Sequence, residues 1–127
     1  MRLLLDTNVV IWWLGESPRL GAAARAAIAD PTAEVAVSAV SAAEIAIKTS
    51  LGKLRVPGDL PDRIAANAFV ELPLTVRHAL ALQELPLVHR DPFDRMLIAQ
   101  ARVEGLTLVT ADKVMSSYDV PLMAADR

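Results

Sequence analysis

The stretch that most constrains this chain is Leu3-Leu4-Leu5-Asp6-Thr7-Asn8, an apolar run that ends abruptly in a carboxylate, an alcohol and an amide. A strand with no polar alternation is usually covered on both faces, as in the parallel sheets of α/β proteins. Ligands of such sheets bind beyond the carboxyl ends of the strands. Asp6 therefore stands where an α/β protein keeps its chemistry, although Asp6 or Thr7 could equally cap the next helix.

The rest of the chain alternates in the same way. Helices are expected over residues 8–14, 20–29, 60–68, 75–83 and 91–104, and strands over 34–37, 69–72, 107–110 and 120–122. Ser41-Ala42-Ala43-Glu44 reads as a capping box that opens a further helix, with Glu44 in its first turn and Gly52 as its stop signal. Asp91 suits an N-cap, Pro92 the first helical position and Gly105 the end of that helix. Alternation of this kind implies a mostly parallel sheet with helices on both faces, and 127 residues fit one domain, 1–127.

Composition removes several classes of function. The chain is 54% hydrophobic, yet no apolar stretch approaches the roughly 20 residues of a membrane span. Its start meets Asp6 too soon to be a signal peptide, so a soluble cytoplasmic protein is expected. Zero cysteines exclude disulfides and thiolate metal sites, leaving oxygen or imidazole ligands for any metal. A net charge of −2 argues against a broadly basic nucleic-acid surface, so RNA contact would be local or metal-mediated.

Four acids share one kind of address. Asp6 and Asp112 lie just past buried strands, and Glu44 and Asp94 lie in the first turns of helices. Each has a local reading as a cap or a helix-dipole partner. Gathered at one sheet edge, the four would repel unless a divalent cation neutralised them, and hard Mg²⁺ or Mn²⁺ prefers oxygen ligands. Such a site activates water and stabilises phosphoryl charge, which is the chemistry of a nuclease.

Four motifs together carry a family resemblance: Leu4-Leu5-Asp6-Thr7-Asn8; Ser38-Ala39-Val40-Ser41-Ala42-Ala43-Glu44-Ile45 with Lys48 and Gly52-Lys53-Leu54; Asp91-Pro92-Phe93-Asp94-Arg95-Met96-Leu97-Ile98-Ala99-Gln100-Ala101; and Leu108-Val109-Thr110-Ala111-Asp112. Across nearly its whole length the chain resembles PIN-domain ribonucleases of the VapC toxin family. The resemblance implies a three-layer α/β/α sandwich and Mg²⁺- or Mn²⁺-dependent cleavage of RNA. It also implies a dimeric toxin of a type II toxin–antitoxin module, inhibited by a cognate VapB-type antitoxin. It places the acidic site on Asp6, Glu44, Asp94 and Asp112, with Thr7, Asn8 and Thr110 as supporting polar groups.

Other residues take plainer roles. Asp91 is read as a cap rather than a ligand, and His78 and His89 as ordinary surface or loop histidines. Arg95 is placed to grip phosphate or to salt-bridge Asp91 or Glu44, and Lys48 to pair with Glu44 one turn away. Trp12 and Trp13 read as core, with one of them free to face a partner subunit. Two rival readings stand beside the nuclease. A haloacid-dehalogenase-like phosphatase wants a second Asp where Asn8 stands, and a non-catalytic scaffold would not need all four acids.

Overall fold

The computed structural model describes every residue except 57 and 89. Five strands, β1 (Arg2–Leu5), β2 (Glu34–Ser38), β3 (Val70–Leu72), β4 (Thr107–Thr110) and β5 (Leu122–Ala124), form one sheet in the order β3-β2-β1-β4-β5. Every neighbouring pair is parallel. The last strand begins two residues later than expected. Proline has no N–H to give to a ladder, and Pro121 takes part only as an acceptor, from Leu108 N–H.

Among the described residues, six α-helices connect and cover the strands: α1 (Thr7–Leu14), α2 (Ala22–Ala29), α3 (Ala39–Ser50), α4 (Leu60–Ala66), α5 (Val76–Ala81) and α6 (Pro92–Glu104). A 3-10 turn, Leu82–Glu84, prolongs α5, and a second, Lys113–Ser117, follows β4. Gly105, at φ 66°, closes α6 in the left-handed conformation that glycine adopts without penalty.

The period of two in the strands separates two cores. Leu3 and Leu5 of β1, with Val35, Val37 and Val109, pack on α1 and α2 through Val9, Val10, Leu14, Ala24 and Ile28. Leu4, Ala36 and Leu108 face the other way, onto Leu97, Ile98 and Ala101 of α6 and onto Met115. The sheet is thus the middle layer of an α/β/α sandwich. All three leucines of β1 are completely buried. Burial of each stabilises the fold by about 1.5–3 kcal/mol.

The strand order also fixes where a ligand can bind. From β1 the chain steps outward to β2 and β3, then returns to lay β4 on the opposite flank of β1. The connections therefore diverge at the carboxyl ends of β1 and β4, which is where a parallel sheet opens a crevice. Among the described residues no helix is long and apolar enough to cross a membrane.

Candidate active site

Asp6 leaves β1 and enters that crevice. Its backbone N–H remains tied to β4 through Val109 O at 3.0 Å. Its side chain, only 6% exposed, accepts from Thr7 N–H at 2.8 Å through Oδ1 and from the Thr110 hydroxyl at 2.7 Å through Oδ2. Thr110 Oγ1 in turn accepts from Asp112 N–H at 3.0 Å. Asp6 is therefore both the N-cap of α1 and a buried acid. A carboxylate has about four lone-pair positions, so these two bonds leave acceptor capacity on both oxygens. Burial pushes the Asp6 carboxyl above its ordinary range; the Thr110 and Thr7 hydrogen bonds oppose this, and the charges of Glu44 and Asp112 add to it.

Glu44 stands in the second turn of α3, not the first. The cap is Ser38, the last residue of β2, whose Oγ accepts from Val40 N–H at 2.9 Å, so the helix begins three residues earlier than the Ser41 pattern implies. Ser41 has another role: it is fully buried and its Oγ accepts from the Thr7 hydroxyl at 2.9 Å, pinning the start of α3 to the start of α1. Glu44 is 6% exposed. Its Oε2 lies 2.8 Å from Lys48 Nζ, while Oε1 is buried with no hydrogen-bond partner among the described residues.

The other two acids stand at the starts of other elements. Asp112 caps the 3-10 turn by accepting from Val114 N–H at 3.0 Å, and its charge reaches Asp6. Asp94 is half-buried in the first turn of α6. Asp91 is the cap of that helix, as the sequence implies, accepting from Phe93 N–H at 2.9 Å and Asp94 N–H at 3.3 Å. The hydrogen bond to Glu44 raises the Lys48 ammonium pKa most; partial desolvation opposes the rise, and the charges of Glu44, Asp91 and Asp94 add to it. Glu44 is thus the common neighbour, coupled to Asp6 on one side and to Lys48 on the other. Among the described residues, no three acidic or imidazole groups are placed to hold one metal ion. The donor chemistry nonetheless fits a hard divalent cation. The set is all carboxylate, and a buried, unsatisfied carboxylate oxygen is costly unless something binds it.

Two expectations need correction. Arg95 does not turn to the acids: its guanidinium donates to the carbonyls of Pro86, Leu82 and Leu85 and to the Tyr118 hydroxyl, bracing the turn after α5. His78 is no surface residue, being 1% exposed inside a polar network. His89 lies outside the described residues. Asn8 is exposed at the second position of α1. The expected cap, Ser41, serves instead as a hydrogen-bond partner of Thr7, and Ser38, to which the sequence reading gave no role, is the cap.

The PIN-domain family profile matches residues 3–121. The chain is also 32% identical to Ribonuclease VapC22 of Mycobacterium tuberculosis, over an alignment covering 94% of this chain and 93% of that one. It belongs to the PIN-domain VapC family. The fold of this VapC-family chain is similar to a chain in the crystal structure of VapBC2 from Rickettsia felis bound to a DNA fragment from their promoter. That match has a TM-score of 0.70 and 15% identity, and covers 97% of this chain and 98% of the other. It is also similar to a chain in FitAcB from Neisseria gonorrhoeae, with a TM-score of 0.64, 21% identity and 97% of each chain covered.

Proposed function

We propose that this VapC-family chain is a Mg²⁺- or Mn²⁺-dependent endoribonuclease, the toxin of a type II module, restrained by a VapB-type antitoxin. Asp6, Glu44, Asp94 and Asp112 form its acidic centre. One observation carries the reading: Glu44 Oε1 is buried without a partner on a residue that feels the charge of Asp6. A structural carboxylate would be satisfied; one that awaits a cation would not. Support comes from the relative named as a ribonuclease and from the fold shared with VapBC2.

When bound, the metal would supply Lewis acidity and an activated water. The chain's own residues do the rest. Thr110 and Thr7 N–H fix the orientation of the Asp6 carboxylate. Ser41, through Thr7, holds α3 and hence Glu44 against α1. Asp112 adds its charge at Asp6, and Asp94 adds its charge at Lys48, the partner of Glu44.

A purified sample incubated with RNA in EDTA, Mg²⁺ or Mn²⁺ tests the reading. Cleavage is expected only with metal, and Asp94→Asn should lack it. Near-wild-type cleavage by Asp94→Asn, with contaminating nuclease excluded, overturns the assignment. Antitoxin binding with no cleavage under any metal would favour the scaffold.

We also read the chain as a homodimer. The leucine-rich start gives no surface for this, because β1 buries it, and the two tryptophans are half-buried. Val76 and Leu80, 75% and 60% exposed one turn apart on α5, are better candidates for a covered face. Light scattering that shows only monomer at micromolar concentration counts against it.

A further inference from the structure

We propose that Lys48 is a tethered counter-ion of the acidic centre, a positioning residue that holds Glu44 until a divalent cation displaces its ammonium from Glu44 Oε2. The inference rests on the metal-site reading above and goes beyond it to a residue which that reading does not use. Three observations carry it. Glu44 is buried, yet its Oε2 contact is with the half-exposed end of a lysine, 2.8 Å away on the next turn of the same helix. The other oxygen, Oε1, has no hydrogen-bond partner among the described residues, so Lys48 neutralises the carboxylate without satisfying it. The charges of Asp91 and Asp94 at the start of α6 also act on Lys48, more weakly than Glu44 does.

An ordinary exposed i,i+4 pair contributes little and can be removed almost unnoticed. This pair differs because one member is buried and coupled to a second buried acid, Asp6. A flexible four-carbon stem carrying a point charge can leave without disturbing the backbone, which a planar, bidentate guanidinium does less readily. Lysine rather than arginine is therefore the suitable residue for a charge that must yield its place.

The test is calorimetric titration of Mn²⁺ into wild type, Lys48→Met, Lys48→Arg and the exposed control Lys53→Met, together with melts in EDTA. The expected order of Mn²⁺ affinity is Lys48→Met above wild type above Lys48→Arg. The Met variant should bind roughly three- to tenfold tighter, as expected for one charge removed from a partly buried pair. In EDTA, Lys48→Met should melt a few degrees lower, because Glu44 then stays buried beside other acids without any counter-charge. Lys53→Met should match wild type. The Arg variant keeps the charge and the fold, so it remains informative if the Met variant folds poorly. Equal affinity for Lys48→Arg and wild type would mean that charge alone acts at a distance, and displacement would be wrong. Equal affinity for Lys48→Met and Lys53→Met would reduce Lys48 to surface decoration. No Mn²⁺ binding by any of the proteins would overturn the metal reading itself, a result distinguishable from both.

Discussion

Two buried polar clusters lie against the sheet, and they are built on opposite terms. In the first, Ser38 Oγ donates to Gln100 Oε1 at 2.5 Å, and Gln100 Nε2 donates to Pro73 O at 3.3 Å. His78 Nδ1 accepts from Thr75 N–H at 3.0 Å, which leaves its proton on Nε2, 3.1 Å from Glu104 Oε1. These residues stitch β2, α5 and α6 together with donors matched to acceptors. In the second, Asp6, Glu44 and Asp112 share charge of one sign, and Glu44 Oε1 is left over. A matched network holds the fold. A mismatched one costs stability and persists where binding or chemistry requires it.

The sharpest way to break this contrast is to neutralise the second cluster. Asp6→Asn, Glu44→Gln and Asp94→Asn should each lower RNA cleavage by at least about a hundredfold, since even outer-shell partners of metal ligands can cost that much. Circular dichroism should show the fold retained. Asp112→Asn should be milder, because an amide still orients a water ligand and can still cap the 3-10 turn.

The first cluster should respond in the opposite sense. Gln100→Leu removes the partner of the Ser38 hydroxyl and should cost about 1–3 kcal/mol, with the melting temperature falling by several degrees. Cleavage per folded molecule, measured well below the melt, should be nearly unchanged. A large loss of turnover in that variant would erase the distinction between the two clusters.

Metal sharpens it further. At a hundredfold excess over Kd, a cation that binds only the folded state adds roughly 2.7 kcal/mol, so Mn²⁺ should raise the wild-type melt by several degrees. Asp94→Asn should melt higher than wild type in EDTA and gain much less from Mn²⁺. Glu71→Gln, at an exposed position of β3, should do neither. Equal gains for wild type and Asp94→Asn would separate the acids into unrelated caps.

The smallest effect is in pH. The Asp6 carboxyl is raised from 3.8, so between that value and its folded-state value the native chain binds more protons than the unfolded one. Stability must then fall as pH rises through this window, opposite to the usual behaviour of a paired carboxylate. In metal-free buffer, the stability of Asp6→Asn relative to wild type should be highest above the window and decline on acidification through it. Urea titrations at stepped pH would show it.

Much of this was legible in the chain. The unbroken Leu3-Leu4-Leu5 run located the central strand, because burial on both faces leaves no other pattern. Asp91-Pro92 and Gly105 marked both ends of α6, because each acts through local backbone geometry. Ser38 was harder: strand passes into helix without a loop, so the residue ending one element caps the next and the later serine resembled the cap. His78 could not be read at all. Its burial depends on Gln100 and Glu104, more than twenty residues away, and local pattern carries no trace of such partners. Arg95 misled for the same reason, since the carbonyls that engage it come from a turn whose path was not visible in composition.

The order of the sheet has a consequence for the timing of assembly. The Asp6 carboxylate is fixed by the hydroxyl of Thr110, 104 positions further along, and β1 has no neighbour on that flank until β4 is laid beside it. A nascent chain that has not yet reached Thr107 can fold β1 against β2, but it lacks the strand that orients its first acid and the residue that supplies its last. Long-range pairing of this kind forms late, because its closure entropy must be met before its contacts exist. Competence to cut would therefore wait for Thr110 and Asp112, and a nascent chain that has not yet reached them would be inert toward the RNA that surrounds it.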